Sequence, residues 1–285
     1  MIGSGIAGLS CATALQQAGL EVSLVDKSRG PGGRMSTRQG DDWQGDDWQC
    51  DHGAQYFTAR HAEFRAAVAR WQQAGVADLW APRLWRFDGD SRECRESRVE
   101  RFVGTPTMTA PARYLASTLS VQAPANIQQI RRQAHGWQVC PAEHGWLETS
   151  FSAVLLAVPA PQVAPLLKQL EPGLVALADR AVMRGSWALM LRFAALVNLA
   201  FNAAFVNQGP LLRKSNLVMS GSGELEMSAV MGSGGFGGGT DRDERERGQA
   251  TGSAAAGGGR GHEPACGGAG VGVIGAASPA AAAAV

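Results

Sequence analysis

Apolar residues recur along this chain in two rhythms, one helical and one strand-like, and their order predicts an α/β fold. Leu9 to Ala18 reads as a helix stopped by Gly19, and Glu21-Val22-Ser23-Leu24-Val25 as the strand after it. His61 to Ala74 is helical in pattern, with Phe64, Val68 and Trp71 on one face and Gly75 as its stop. Leu79 to Val103 is rich in Trp, Arg and Phe and predicts short strands joined by turns. A further helix, Arg113 to Leu119, opens at Thr109-Ala110-Pro111-Ala112, with the proline near its first turn. Strands are predicted over Ile127 to Ile130 and Gly136 to Cys140, with a return strand over Trp146 to Thr149. Phe151 to Val158 reads as a buried strand ending at Pro159-Ala160-Pro161, followed by a helix over Gln162 to Leu170 and a strand over Trp187 to Phe193. A strand-turn-helix-strand opening followed by mixed elements predicts α/β with a β-rich insertion.

Two stretches depart from this pattern. Gly40-Asp41-Asp42-Trp43-Gln44 is repeated at once as Gly45-Asp46-Asp47-Trp48-Gln49. The repeat is too short for a structural unit and reads as a duplicated loop, since lengthening a loop costs little entropy. Residues 214–285 hold roughly half of the 37 glycines, an alanine run and a charge cluster over 241–247. Such a composition predicts disorder. A GxGxxG match inside it, Gly270 to Gly275, has no good preceding strand and is read as chance.

Charge and cysteine content narrow the function classes. A net charge of +1 gives no electrostatic case for nucleic acid or an acidic membrane. The five cysteines are odd in number and lack metal-ligand spacing, so free thiols in a reducing compartment and no metal site are expected. The longest apolar stretch, Trp187 to Val206, carries Arg192, Asn198 and Asn202, which argues against a membrane span. The N-terminus enters directly into a glycine loop, so no secretory signal is expected and the cytoplasm is the expected location.

The chemistry is concentrated near the N-terminus. In Gly3-Ser4-Gly5-Ile6-Ala7-Gly8 the first glycine permits a tight strand-to-helix turn, the second lets backbone approach a pyrophosphate, and the third lets helix and sheet pack closely. The following helix aims its unpaired N–H groups and positive dipole end at the phosphates. Asp26 lies 18 residues beyond Gly8, near the roughly 20 expected for an acid that accepts hydrogen bonds from a ribose. A second cluster, Arg29-Gly30-Pro31-Gly32-Gly33-Arg34-Met35-Ser36-Thr37, makes the signal strong.

Together with Asp51-His52-Gly53-Ala54-Gln55-Tyr56-Phe57-Thr58, these motifs resemble the renalase-like branch of the flavin amine oxidase superfamily. Ala157-Val158-Pro159-Ala160-Pro161 and Trp187 to Phe193 sit where that family has equivalents, so the resemblance covers about residues 1–213. It implies FAD as the cofactor, held by a Rossmann-type domain with an inserted antiparallel β-rich substrate domain. The FAD-binding domain would span 1–60 and 105–165, the substrate domain 61–104 and 166–213, and the tail 214–285. Gly3, Gly5 and Gly8, with Ile6 and Ala7 at the helix start, would meet the pyrophosphate. Asp26 and Lys27 would sit at the adenosine ribose, Gly33 and Arg34 at the phosphates, Ile127 at the adenine, and Val158 and Pro159 along the cofactor. Gln55, Tyr56 and Phe57 would pass near the flavin ring or the substrate cavity, although core packing explains Tyr56 and Phe57 equally well. His52 has no obvious catalytic partner, Cys50 is not expected to attach flavin, and Asp51 is expected to accept backbone hydrogen bonds at its turn.

The activity implied by the resemblance is removal of hydride from a carbon beside nitrogen, in a small amine or a dihydronicotinamide-type substrate. Molecular oxygen would accept the electrons, and no catalytic side chain is required because the flavin performs the redox step. Two departures from the family pattern carry expectations of their own. Only Met1-Ile2 precede Gly3, so the first strand is expected to be truncated. The resemblance stops near Arg213, where a closing Gly-Asp motif fails to follow and a shift of reading frame is expected. The alternatives are therefore an inactive fragment, or a nucleotide-binding module without turnover.

Overall fold

The computed structural model describes residues 1–41, 47–94, 98–183, 186–192, 199–208, 215–219, 227–233 and 272–274. In chain order the first elements are α1 (Ile6–Gln17), β1 (Ser23–Val25), β2 (Thr37–Asp41), β3 (Asp47–Asp51), α2 (Ala62–Gln73) and β4 (Ala77–Trp80). Then come β5 (Leu84–Asp88), β6 (Ser91–Cys94), β7 (Arg101–Gly104), α3 (Ala110–Ala116), β8 (Ser120–Gln122), β9 (Ile127–Gln133) and β10 (Gly136–Pro141). The remainder are β11 (Val154–Leu156), α4 (Val163–Leu167), α5 (Pro172–Asp179), β12 (Ser186–Arg192), β13 (Ala203–Gln208), β14 (Ser215–Met219), β15 (Met227–Ser233) and β16 (Gly272–Ile274).

One sheet, parallel across β8, β1, Ile2 and β11, positions the site. Ile2 bridges β1 on one side and β11 on the other, both parallel, and β8 extends the sheet beyond β1. The Ile2 N–H donates to Leu155 O and its carbonyl accepts from Ala157 N, each at 2.8 Å. Ile2 thus occupies the centre of this sheet, between β1 and β11. Continuous apolar runs such as Leu24-Val25 and Val154-Leu155-Leu156 suit a sheet covered on both faces. One face carries α1 and α3, where Leu9, Ala12, Leu24 and Ala112 are buried together. The β9–β10 hairpin and α4 cover the other, through Ile130, Trp137, Val139, Val163 and Leu167. Burial of each large aliphatic side chain stabilises this layer by about 1.5–3 kcal/mol.

A second sheet of six strands runs in the order β12-β15-β14-β13-β5-β6. It is antiparallel except between β13 and β5, where Ala203 lies opposite Leu84. Trp85, Phe87 and Phe201 pack on it with ring centroids 5.6–6.2 Å apart. Beside it, β4 pairs with β7, and α2 lays Val68 and Trp71 onto Phe102 and Phe57.

Several expectations from the sequence change here. Most of residues 214–285, which were expected to be disordered, lies outside the described residues; within it β14 and β15 pair in register with β13 and β12. The apolar runs Leu217-Val218-Met219 and Ala229-Val230-Met231 are diluted when composition is averaged over a glycine-rich window. The second GxGxxG contributes β16, antiparallel to β11; extended strand over Gly272–Ile274 is not the turn that a phosphate loop needs. Asp47 to Gln49, from the second copy of the duplicated pentapeptide, form strand rather than loop, with Gly40 opposite Trp48. Trp146 to Thr149 are not strand; only Phe151 returns, as a bridge to Trp137. The helix expected over Gln162–Leu170 ends at Leu167, and α5, unread in the sequence, follows it with Pro172 in its first turn.

Candidate dinucleotide site

The chain turns away from the parallel sheet three times at the same edge, after Ile2, after β1 and after β11. The sheet reverses its strand order beside Ile2, and such a switch point leaves a crevice at the carboxyl ends of the strands. The crevice is a cavity of about 660 Å³, within the roughly 300–1,000 Å³ usual for small-molecule sites. Gly3, Gly5, Ile6 and Ala7 line it from the first turn, Asp26 and Lys27 from the second, and Val158 and Pro159 from the third. Gly33 and Arg34 line it from the second glycine cluster, and Ile127 from the start of β9.

Close approach explains two of the glycines. A Cβ on Gly8 would stand 2.1 Å from the Gly3 carbonyl oxygen, and one on Gly3 would stand 2.5 Å from that of Ala157. Gly8 accordingly presses α1 against the sheet and does not line the cavity. Gly5 differs: nothing lies within 4 Å of a Cβ built there. A side chain at Gly5 would project into open space at the amino end of α1, where backbone N–H groups and the helix dipole favour an anion.

The second cluster backs directly onto the first. Gly32 and Gly33 have φ of 121° and 53°, in the left-handed region. Gly32 N donates to Ser4 O at 3.0 Å, and a Cβ on Gly33 would lie 3.3 Å from Gly5 Cα. Behind the turn, Ala54 N donates to Arg34 O at 2.7 Å, while a Cβ on Gly53 would meet that same oxygen at 2.2 Å. The exposed Arg34 therefore stands on a turn clamped from both sides, and among the described residues no carboxylate pairs with it.

Asp26 is buried at the end of β1. Its Oδ2 accepts from Ser4 N (2.5 Å) and Ser4 Oγ (2.7 Å), and its Oδ1 accepts from Ser28 N (2.8 Å). A carboxylate offers about four acceptor positions, so Oδ1, with one donor, keeps capacity for another, and Asp26 lines the cavity. Ser4 is a functional residue that sequence reading passed over; its signal is a hydroxyl between the two glycines with an acid closing the next strand. At the far rim, Glu143 accepts from Asn126 N through both carboxylate oxygens, at 3.0 and 3.2 Å, fixing the backbone before Ile127.

Gln55, Tyr56 and Phe57 do not line this cavity. Phe57 exchanges two 2.8 Å backbone hydrogen bonds with Phe102 and packs among Phe64, Trp71 and Phe102. Tyr56 lies against Trp80, beneath the Arg101 guanidinium. His52 reaches Ser36 Oγ at 3.2 Å. Asp51 accepts a backbone N–H, but from Met108 rather than from its own turn. Burial, reinforced by the Asp51 charge, pushes the Cys50 thiol up to about 11. Among the described residues no group of His, Cys, Asp and Glu is placed to hold a metal, and no helix is long and apolar enough to cross a membrane.

Residues 1–71 match the family described as NAD(P)-binding Rossmann-like domain. Over 86% of this chain and 59% of the other, the fold is similar to that of tetracycline destructase Tet(51), with a TM-score of 0.52 and 11% identity. It is also similar to a putative protoporphyrinogen oxidase from Exiguobacterium sp. 255-15, with a TM-score of 0.57 and 9% identity over 81% of this chain and 75% of that one. The chain thus spans less than two thirds of the destructase. At these identities the likeness concerns the fold, and the fold is mixed α/β beginning on a Rossmann-like dinucleotide-binding unit.

Proposed function

We propose that the cavity holds FAD and that the chain is an FAD-dependent oxidoreductase of the renalase-like branch, acting on a carbon–hydrogen bond next to nitrogen. The substrate would be a small amine or a dihydronicotinamide, with oxygen as electron acceptor and the cytoplasm as location. One observation carries the choice of FAD: the Gly32-Gly33-Arg34 turn is built against Gly5, and a simple nicotinamide-binding unit requires no such second glycine–arginine cluster. The open Cβ position at Gly5 and the spare acceptor on Asp26 fit a pyrophosphate and a ribose. When bound, FAD would supply the hydride-accepting redox chemistry.

The chain's own residues bind and orient. The α1 amino end with Gly3, Gly5, Ile6 and Ala7 would carry the pyrophosphate, and Arg34 would neutralise it with a guanidinium suited to bidentate phosphate contact. Asp26, beside Lys27, would fix the ribose. Ile127 would border the adenine, and Val158 and Pro159 would exclude water along the cofactor. Segments 61–104 and 166–213 would supply the substrate domain.

Purification followed by an absorbance spectrum tests this reading. The expected result is a flavin spectrum that is lost anaerobically on adding a dihydronicotinamide isomer or an amine, and that returns with air. A chain that takes up no FAD overturns it. Uptake without reduction by any such substrate would instead support a binding module without turnover, a reading favoured by the position of Gln55, Tyr56 and Phe57 away from the cavity.

A further inference from the structure

We propose that Asp51 is a positioning residue for the cofactor site, acting on the Gly32-Gly33-Arg34 turn without touching the cavity; this rests on the FAD reading above. Asp51 closes β3, opposite Thr37, the first residue of β2 after the turn. Its Oδ1 accepts from Thr37 Oγ1 at 2.5 Å and from Met108 N at 3.1 Å. One oxygen thus joins the strand leaving the turn to the segment that opens α3.

That segment bears on the turn in its own right. Thr109 Oγ1 reaches Thr37 Oγ1 at 3.3 Å and Thr107 Oγ1 at 2.9 Å. Thr109 Cγ2 would lie 3.2 Å from a Cβ on Gly32, with Ala112 Cβ at 3.8 Å behind it. Thr107, Met108 and Thr109 are all buried. Polar groups in such surroundings hold a geometry tightly when satisfied and let it drift when one acceptor is lost. Without the Asp51 oxygen, the Met108 N–H loses its acceptor and the Thr37 hydroxyl keeps only Thr109 Oγ1 at 3.3 Å. Beside the Asp51 bonds, the hydrogen bond between the Thr107–Thr109 segment and the β2–β3 hairpin among the described residues is the 3.3 Å Thr37–Thr109 contact. Gly33 and Arg34 line the cavity; Asp51, Thr37 and Thr109 do not. The carboxylate therefore acts on binding through backbone placement.

The experiment measures FAD and AMP affinity for the whole chain and for Asp51→Ala, Asp51→Asn and Thr37→Val. AMP carries the adenosine assigned to Asp26 and Ile127 but only one of the two phosphates assigned to Gly33 and Arg34. Asp51→Ala is expected to weaken FAD at least tenfold and AMP less than threefold. Asn keeps an acceptor oxygen, so Asp51→Asn should restore FAD affinity to within threefold. Thr37→Val should weaken FAD about threefold, and it carries the test if Asp51→Ala does not fold. Unchanged FAD affinity in both Asp51→Ala and Thr37→Val overturns this inference alone. So does an equal loss of FAD and AMP without rescue by Asn, the mark of a merely structural role. Failure of the unaltered chain to bind FAD overturns the function and this inference together.

Discussion

Gly3, Gly5, Gly8 and Gly33 shape the cavity by what they lack, whereas the six-stranded sheet is held by what Leu84, Trp85, Phe87 and Phe201 carry. At Gly3, Gly8 and Gly33 backbone comes so close to backbone that a Cβ would intrude, and at Gly5 a side chain would project into open space. In the sheet, strands far apart in sequence are joined across register pairs such as Ala203 with Leu84, and apolar side chains fill the gaps. Binding and stability should therefore respond separately to substitution. A residue can matter to one region with little consequence for the other.

The largest effect should come where the two demands coincide. Gly8→Val forces atoms into the Gly3 carbonyl and should cost about 3 kcal/mol or more, abolishing nucleotide binding with it. Thermal unfolding monitored by circular dichroism checks this; an unchanged midpoint would break the comparison. Leu84→Ala, at a buried sheet position, should cost about 2–5 kcal/mol. The folded fraction should nevertheless bind FAD as the unaltered chain does, as a titration at low temperature would measure.

Gly5→Val should do the reverse. Its backbone, φ −67° and ψ 171°, is open to any residue, and a Cβ there meets nothing. Stability should stay within about 0.5 kcal/mol, while FAD affinity falls on the order of a hundredfold, about 2.7 kcal/mol. Equal losses of stability and binding would show that Gly5 serves packing rather than the ligand.

The smallest effect concerns Cys50. With its thiol raised from an ordinary 9.0 to about 11, it is neutral in folded and unfolded chains alike below pH 9. Between about 9 and 11 only the unfolded chain ionises, so stability should decline as pH rises through that window. Replacing Cys50 with Ala should remove that part of the decline in urea titrations. At pH 8 the exposed Cys94 should react with a thiol reagent well before Cys50 does.

The cavity was more legible in the sequence than the rest because its requirements are local. Glycine at positions 3, 5 and 8 answers short-range steric demands, and Asp26 is placed by the length of one helix and one strand. Eleven of the twelve residues expected around the cofactor line one cavity, Gly8 being the exception. Ile127, Val158 and Pro159 were reached through family resemblance, since no local pattern marks an apolar residue at a strand end. Ser4 escaped notice because a serine between glycines has many uses, and only the fold brings Asp26 to it. The strands in the glycine-rich C-terminal region escaped because averaged composition hides short apolar runs.

By itself the sequence determined the nucleotide turn, the helix behind it and the acid that closes the next strand, because sterics and hydrogen bonding within a few residues dictate them. Tertiary structure alone decided that Gly33 rests on Gly5, that Phe57 faces a core rather than the cavity, and that Asp51 is tied to Met108. These depend on segments roughly 20 to 60 residues apart meeting in space, and such encounters are selected by burial of the whole core rather than by any local preference.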